Sequence, residues 1–292
     1  MNCVICPRNC NIDRSKSQGY CKTNELVKVA RADLHMWEEP CISGEEGSGT
    51  IFFSGCNLRC VYCQNHEISG GLVGKDISIE RLSELMIELQ NKGANNINLV
   101  TPSHFLPQIK EAIRLAKTKG LNLPIVYNTS SYEKSEYIQQ LKGYIDVYLP
   151  DFKYYDNELA KKYSNAPNYR EIATKALDEM LNQVDEQFND KEIMTGGVIV
   201  RHLILPGNID DSKKVIKYLY DRYGDRIYIS IMNQFTPIEN MLTNYPELNR
   251  KVTDEEYGEV VDYALEIGVE KGFIQEGETA TESFIPKFDF KG

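Results

Sequence analysis

The sequence predicts an α/β fold in which a parallel sheet is covered by helices, with a small cysteine-rich segment at the amino end. From residue 50 onward, short apolar segments alternate with segments of helical periodicity, which is the pattern of parallel strands joined by helical crossovers. All eight cysteines lie at or before Cys63, so their role is confined to the first part of the chain. The alternation alone fits either a doubly wound sheet or a partial barrel.

Six apolar segments are predicted to be the strands of this sheet. Each has the length of a buried strand and is followed by a turn or a helical pattern. They lie at residues 50–53, 97–100, 125–127, 145–149, 198–205 and 227–231. The first of them directly precedes three of the cysteines, so those cysteines are expected on the loop at its carboxyl end, where α/β folds place chemistry.

Capping residues indicate where the helices between these strands begin. Ser78 is predicted to cap the first helix, and Pro107 to begin the second. Asp210 is predicted to cap the helix after the fifth strand, and residues 253–256 read as a capping box before the last helix. Two further helical patterns lie at 135–141 and 172–184. Helices and strands therefore alternate through most of the chain.

Composition and charge argue against two classes of partner. The 292 residues carry 33 basic and 43 acidic side chains, a net charge of −10, which does not suit a broad nucleic-acid-binding surface. No segment approaches the roughly 18 unbroken apolar residues of a membrane helix. The amino terminus lacks the charged start and apolar core of a signal peptide. We therefore expect a cytoplasmic protein, whose cysteines are metal ligands rather than disulfides.

A second metal site is predicted in residues 1–45, which we expect to form a cysteine-rich segment ahead of the main domain at 46–292. Within it, residues 1–40 are expected to be irregular. Its four spaced thiols are Cys3, Cys6, Cys10 and Cys21. Zinc and a second iron–sulfur cluster both fit four sulfur ligands, and a segment this short would gain stability from a metal. The alternative is a set of free thiols. Cys41 stands apart from these patterns and is predicted to be a free, buried cysteine.

The strongest chemical signal is the spacing C-x3-C-x2-C formed by Cys56, Cys60 and Cys63. Three thiolates on one tight loop can hold three irons of a cubane cluster, and the fourth iron then keeps an open position. The alternative is a zinc knuckle completed by His66, although structural zinc sites favour C-x2-C pairs.

This loop, Gly-Cys-Asn-Leu-Arg-Cys-Val-Tyr-Cys-Gln-Asn, resembles the cluster loop of radical S-adenosylmethionine (SAM) enzymes, and in particular of glycyl-radical-enzyme activases such as pyruvate formate-lyase-activating enzymes. The amino-terminal Cys-x2-Cys-Pro-Arg-x-Cys pattern resembles a distinct branch of these activases. The resemblance implies an open, partial (β/α)6 TIM-like barrel. It also implies a [4Fe-4S] cluster whose open iron binds SAM.

The resemblance further implies that SAM is held by residues of the cluster loop and of the strand ends. Asp151-Phe-Lys153 resembles the Asp-Leu-Lys motif of the activases, and His202 occupies the place of a histidine that faces SAM. Neighbouring side chains of a strand alternate faces, so Arg201 and His202 cannot both point inward. The implied SAM contacts are Tyr62, Asn65, Thr101, Ser103, Asn128, Ser130, Asp151, Lys153, His202 and Asn233. For several of them, a helix cap or a core position remains the alternative.

By resemblance, the predicted reaction is reductive cleavage of SAM to a 5′-deoxyadenosyl radical, which abstracts hydrogen from a glycine of a partner enzyme. Flavodoxin or ferredoxin would supply the electron. One alternative is radical modification of a small molecule or a peptide, because the additional amino-terminal cysteines depart from the simplest activase. An alternative of another class is a zinc-binding module without catalysis.

Overall fold

The computed structural model describes residues 2–238, 242–275 and 288, and this part of the chain contains one ten-stranded sheet. The strand order is β10-β9-β8-β6-β5-β4-β2-β1-β3, and β7 pairs with β8 outside this path. The strands are β1 (Val27–His35), β2 (Ser48–Phe53), β3 (Lys75–Ile77), β4 (Ile97–Val100), β5 (Ile125–Thr129), β6 (Val147–Pro150), β7 (Gln187–Phe188), β8 (Met194–Leu203), β9 (Tyr228–Met232) and β10 (Gly272–Ile274).

The helices lie mainly in the crossovers between parallel strands. They are α1 (Pro40–Ser43), α2 (His66–Ser69), α3 (Ile79–Asn91), α4 (Leu106–Thr118), α5 (Ser135–Ile138), α6 (Asn157–Ser164), α7 (Tyr169–Leu181), α8 (Ile209–Tyr223) and α9 (Asp254–Glu266). Within the described ranges, no helix is both long enough and apolar enough to cross a membrane.

All six predicted strands are present, and they pair in parallel as β2, β4, β5, β6, β8 and β9. The sheet curves into the partial barrel that the resemblance implies. Asn98 of β4 and Arg201 of β8 both contact the carboxylate of Glu38, although two strands, β5 and β6, separate them in the sheet. A flat sheet would hold these side chains roughly 14 Å apart, since neighbouring strands lie about 4.8 Å apart.

Residues 27–35 correct the expectation that the first 40 residues are irregular. They form β1, which pairs antiparallel with β2 and β3. Val27, Val29 and Ala32 are buried in the core. The strand is therefore stabilised by apolar burial as well as by its hydrogen bonds. The cysteine motifs before it gave no indication of this strand.

The capping predictions have mixed outcomes. The Ser78 side chain accepts a hydrogen bond from the Arg81 backbone N–H, and Thr253 with Glu256 forms the predicted capping box. The prediction for Asp210 is wrong, because α8 begins at Ile209 and its N-cap is Asn208, two residues before the predicted cap. Asp210 lies in the first helical turn, where its negative charge still favours the helix dipole.

Three other features of the fold differ from the sequence prediction. The strand expected at 198–205 begins at Met194, because β7 pairs antiparallel with its first residues and extends it. The helical pattern near residue 172 belongs to α7, and a separate helix, α6, precedes it. A seventh parallel strand, β10, pairs with β9 at the edge of the sheet. Cys41 is free and buried in α1, as predicted.

Candidate active site

The cysteine loop begins where β2 ends, at a glycine that the backbone requires. Gly55 has φ +84°, and a Cβ at this position would collide with the carbonyl oxygen of Cys21. Only glycine meets both demands without strain. The amino-terminal segment therefore packs directly against the residue that precedes Cys56.

Cys56, Cys60 and Cys63 are free, half-buried, and line one cavity of about 370 Å³. The Ser164 hydroxyl at the end of α6 donates to Sγ of Cys60 at 3.0 Å. The same hydroxyl lies 2.7 Å from the Tyr154 hydroxyl, which in turn lies 2.7 Å from that of Tyr62. A chain of buried hydroxyls therefore ends on one of the three sulfurs.

The three thiols influence one another electrostatically. Burial, together with the neighbouring Cys60 and Cys56, raises the pKa of Cys63 to about 12. Burial also raises the pKa of Cys56, again with a contribution from Cys60. Such thiols are protonated at neutral pH unless a metal takes the place of the proton. Three mutually close sulfurs on one loop, each reached from the cavity, are a donor set that fits a cubane cluster.

Within residues 2–238, 242–275 and 288, no three His, Cys, Asp or Glu side chains are placed to hold a single metal ion. A cubane is wider than one ion, so its sulfur ligands stand farther apart than the four around tetrahedral zinc. His66, the fourth ligand that a zinc knuckle would need, is not among the residues that line the cavity with the three cysteines.

Ten of the thirteen predicted barrel-site residues line the cavity, which opens at the carboxyl ends of the parallel strands. They are Cys56, Cys60, Tyr62, Cys63, Asn65, Thr101, Asn128, Ser130, Asp151 and Lys153. Thr101 follows β4 with φ +59°, a conformation that a β-branched residue rarely adopts and that tends to occur at functional sites.

A buried network of charges crosses the cavity wall around Arg201. Its Nε donates to Oδ1 of Asp151 at 2.9 Å, its Nη1 to Oε2 of Glu38 at 2.9 Å, and its Nη2 to Oδ1 of Asn128 at 2.7 Å. Each of the three guanidinium nitrogens therefore donates to a different neighbour. The Lys153 ammonium donates to the other oxygen of Asp151 at 2.7 Å.

Pairing outweighs burial for the Asp151–Lys153 pair. Burial alone would raise the pKa of Asp151, but Lys153 and Arg201 together hold it below its ordinary value. Burial alone would lower the pKa of Lys153, but the Asp151 carboxylate raises it above its ordinary value. Both groups are therefore charged at neutral pH. A charged acid and a charged base at strand ends can bind the two ends of a zwitterion.

Three predicted SAM contacts, Ser103, His202 and Asn233, are not among the residues that line the cavity. His202 faces the helices: Nδ1 donates to the Phe152 carbonyl at 2.8 Å and Nε2 accepts from the Ser212 hydroxyl at 2.9 Å. Burial lowers the pKa of His202 to about 4, so it is a neutral structural residue. Its strand neighbour Arg201 takes the inward position.

The other two residues, Ser103 and Asn233, make contacts outside the cavity lining. Ser103 is buried in the 3₁₀ turn after β4, where its hydroxyl interacts with the Glu133 carboxylate. The backbone N–H of Asn233 donates to Oε1 of Gln275 at 2.7 Å. Ser103 therefore takes the core role that the sequence left as its alternative.

Sequence reasoning missed Glu38 and Glu39, which line the cavity from the segment between β1 and α1. It also gave no site role to Arg201. The signal for the two glutamates was a pair of adjacent acidic residues before Pro40, inside a segment expected to be irregular. Nothing in that pattern alone separates a buried pair from a solvated one.

The four amino-terminal cysteines lie close to one another. Burial, together with smaller effects of Cys21, Cys10 and Cys3, raises the pKa of Cys6 to about 12. Cys6 and Cys21 are buried, whereas Cys3 and Cys10 are half-buried. Sulfur is the donor that zinc and iron–sulfur clusters both accept, so this arrangement leaves both predicted metals open.

Arg8 joins this segment to the cysteine loop. Its Nε donates to the Asn57 carbonyl at 2.7 Å, and its Nη2 donates to the Ser164 carbonyl at 3.0 Å. Its guanidinium also stacks over the Tyr20 ring at 4.0 Å. Charge-assisted bonds to backbone carbonyls are among the stronger hydrogen bonds. The four-cysteine segment is thereby fixed against the loop that would hold the cluster.

Comparisons with known proteins agree with this site. Residues 50–219 match the Radical SAM superfamily. An uncharacterized protein of Methanocaldococcus jannaschii is 32% identical over 276 residues, covering 91% of this chain and 74% of that protein. Pyruvate formate-lyase-activating enzyme of Clostridium pasteurianum is 26% identical over 178 residues, covering 58% of this chain and 66% of the enzyme.

A solved structure supports the fold. Methylornithine synthase superposes with a TM-score of 0.53 at 15% identity, covering 75% of this chain and 60% of that one. At this identity the likeness concerns the fold alone. The family match extends over more than half of the chain, and the cysteine loop lies at the carboxyl ends of the barrel strands. This chain belongs to the radical SAM superfamily.

Proposed function

We propose that the chain is a glycyl-radical-enzyme activase, similar to pyruvate formate-lyase-activating enzymes. The observation that carries the proposal is the meeting of the Cys56–Cys60–Cys63 loop and the Asp151–Lys153 pair in one cavity. The relatives that bear the activase name align over about two thirds of their length, so the partner and substrate belong to the proposal rather than to the family match.

The chain's own residues have three tasks in this chemistry. A four-iron cluster and SAM, when bound, supply a one-electron cleavage that yields methionine and a 5′-deoxyadenosyl radical. The three cysteines hold the cluster, and Lys153 and Asp151 present opposite charges to the carboxylate and ammonium of SAM. Arg201 keeps Asp151 in place. Apolar wall residues limit the access of water, which would quench a radical intermediate.

The electron donor in this proposal is flavodoxin or ferredoxin, and the hydrogen donor is a glycine of a partner enzyme. The test mixes the anaerobically reconstituted chain, SAM and a photoreduced flavodoxin with pyruvate formate-lyase as the probe. A glycyl-radical signal in the electron paramagnetic resonance spectrum, absent with Cys60→Ala, is the expected result. SAM cleavage without any such signal would reject the activase role and leave the family chemistry intact.

A second candidate function is modification of a small molecule or a peptide. The observation that favours it is Glu39, which lines the cavity and has one buried carboxyl oxygen without a hydrogen-bond partner among the described residues. An enclosed cavity with such a group suits a substrate that brings its own donor.

A further metal is also proposed for the amino-terminal cysteines. The support for it is that Cys21, Cys10 and Cys3 all lie near enough to Cys6 to raise the pKa of its thiol. Zinc would act there as a structural centre, and a second cluster could also serve electron transfer.

A further inference from the structure

The floor of the cavity is built by the segment that joins β1 to α1. His35, the last residue of β1, pairs with Ser48 at the amino end of β2, whereas Cys56 follows the carboxyl end of β2. The segment therefore reaches the cavity from the side opposite to the cysteine loop. Glu38 and Glu39 are its acidic residues, and both line the cavity.

Glu38 has a complete set of partners. Its Oε2 accepts from Arg201, and its Oε1 accepts from Nδ2 of Asn98 at 2.9 Å and from Nδ2 of Asn128 at 3.3 Å. A carboxylate with one charged donor and two amide donors has a structural role. It links β4, β5 and β8 from inside the barrel.

Glu39 differs from its neighbour. The residue is only 8% exposed, and its Oε2 has no hydrogen-bond partner in residues 2–238, 242–275 and 288. The Ser230 hydroxyl is its one hydrogen-bonding side chain in that part of the protein, and burial raises the pKa of the Glu39 carboxyl. A buried acceptor without a donor costs free energy, so its persistence calls for a compensating ligand.

The charges and walls around Glu39 indicate what that ligand carries. Glu38 and Asp151 are balanced by Arg201 and Lys153 through direct contacts, whereas Arg201 acts on the Glu39 carboxyl only at longer range. Of the three acidic groups, Glu39 is therefore the one that a cationic ligand would compensate. Phe52, Leu203 and Met232 supply apolar wall to the same cavity. A cationic nitrogen on an aliphatic chain satisfies both features.

We propose that Glu39 binds the ammonium group of an aliphatic amine, presented by the substrate at the floor of the cavity. The inference rests on the proposed function only in taking this cavity as the substrate site. Two sources share the chemistry, a free small amine and a lysine side chain of a partner protein. SAM itself also carries an ammonium, but the proposed function pairs that group with Asp151 and not with Glu39.

The test compares two matched pairs of probes on the reconstituted chain saturated with SAM. The first pair is n-butylammonium chloride and n-butanol, and the second is a terminally blocked glycyl-lysine dipeptide and its norleucine counterpart. Calorimetric titration is expected to show saturable binding of at least one cationic probe to wild type, with at least tenfold weaker binding of its uncharged partner. Preference for the free amine or for the dipeptide identifies the source.

Glu39→Gln is the informative variant and Glu45→Gln, at an exposed residue of the loop after α1, is the matched control. Binding of the cationic probe is expected to weaken at least tenfold in Glu39→Gln and to stay unchanged in Glu45→Gln. SAM affinity and the uncoupled formation of 5′-deoxyadenosine are expected to be unchanged in Glu45→Gln. SAM affinity is measured in Glu39→Gln as well, because it separates a substrate contact from a SAM contact.

A melting experiment separates a binding role from a structural one. Glu39→Gln is expected to leave the melting temperature unchanged or to raise it by about 2–4 °C, because it removes an unpaired buried charge. Glu38→Gln is expected to lower it, because Arg201 then loses a charged partner. An equal fall in both variants would make Glu39 structural and overturn the inference.

Two other results would also overturn it. One is equal binding of charged and uncharged probes, or no saturable binding of either cation. The other is loss of SAM affinity in Glu39→Gln, which would make the residue a SAM contact. A wild-type chain that binds the amine through Glu39 but cleaves no SAM would instead contradict the proposed function and leave this inference standing.

Discussion

Arg201 and Asp151 form an ion pair inside the barrel, with Nε and Oδ1 at 2.9 Å and side chains that are 14% and 16% exposed. The pair joins β8 to the residue that follows β6, where an isolated bridge between the two residues continues the parallel pairing. The same guanidinium binds Glu38. A single cation therefore compensates two buried carboxylates at the centre of the site.

Arg201→Met is expected to destabilise the protein strongly. Breaking a buried pair from one side leaves an uncompensated charge and costs roughly 3–5 kcal/mol. Here Glu38 loses its cation, whereas Asp151 keeps Lys153. Urea unfolding followed by circular dichroism gives the free energy of unfolding. The control is Arg222→Met, which breaks an exposed pair with Asp178 and should cost at most about 1 kcal/mol. Equal losses in the two variants would contradict the network's role.

Ser164→Ala is expected to make the cluster harder to reduce. The Ser164 hydroxyl donates to Sγ of Cys60, and hydrogen bonds to cluster sulfurs raise the reduction potential by stabilising the more negative, reduced form. A hydrogen bond worth about 1 kcal/mol corresponds to a fall on the order of 50 mV for a one-electron couple. Redox titration monitored by electron paramagnetic resonance measures it. Ser83→Ala, in α3, should leave the potential unchanged, and an unchanged potential in Ser164→Ala would rule out the tuning role.

The buried His202 is expected to lower the free energy of unfolding in mild acid. Its pKa lies at about 4 in the folded chain against an ordinary value of 6.5. The unfolded chain therefore binds a proton at a higher pH than the folded one does. The stability is fully present above pH 6.5 and falls as the pH drops toward 4, by up to about 1.4 kcal/mol per pH unit for this one group.

The measurement is urea unfolding at several pH values between 7 and 4, with wild type compared to His202→Asn. Asparagine keeps a donor for the Phe152 carbonyl but does not titrate. Between pH 7 and 4, the free energy of unfolding should fall less in the variant than in wild type, because one titrating group is missing. His104, whose pKa burial lowers to about 3, contributes to the fall in both proteins. Parallel pH profiles would show that His202 does not titrate as described.

The amino-terminal metal is tested by removing the cluster loop's ligands. In a Cys56/Cys60/Cys63 triple alanine variant, metal analysis is expected to find metal that remains bound, because Cys3, Cys6, Cys10 and Cys21 form a separate set of thiols. Residual iron would identify a second cluster, and residual zinc a structural site. A metal-free triple variant would mean that these four are free thiols.

Part of this architecture follows from local sequence pattern. The six apolar segments gave the parallel strands, because a strand buried on both faces needs a continuous apolar run. Strand ends then placed Asp151 and Lys153 at the cavity, since the carboxyl ends of parallel strands share one edge. The strand β1 was not predicted, although Val27 and Val29 alternate with other residues, because this segment was interpreted from its cysteine spacing.

Other features depend on contacts between residues distant in the chain. The alternation of side chains along a strand predicts that only one of Arg201 and His202 faces inward. Which of them does so depends on the strand register, which is set by pairing with β6 and β9. The positions of Glu38 and Glu39 depend in the same way on the return of the chain from β1 toward β2. No local pattern records such a path.

The most direct test of the account is the formation of 5′-deoxyadenosine by the anaerobically reconstituted chain with SAM and dithionite. The measurement is chromatographic, with Cys60→Ala as the matched variant that keeps all four amino-terminal cysteines. The account predicts a brown protein that yields 5′-deoxyadenosine and methionine in equal amounts, and a variant that yields neither above background. A colourless wild type that binds zinc and leaves SAM intact, or a variant as active as wild type, would contradict it.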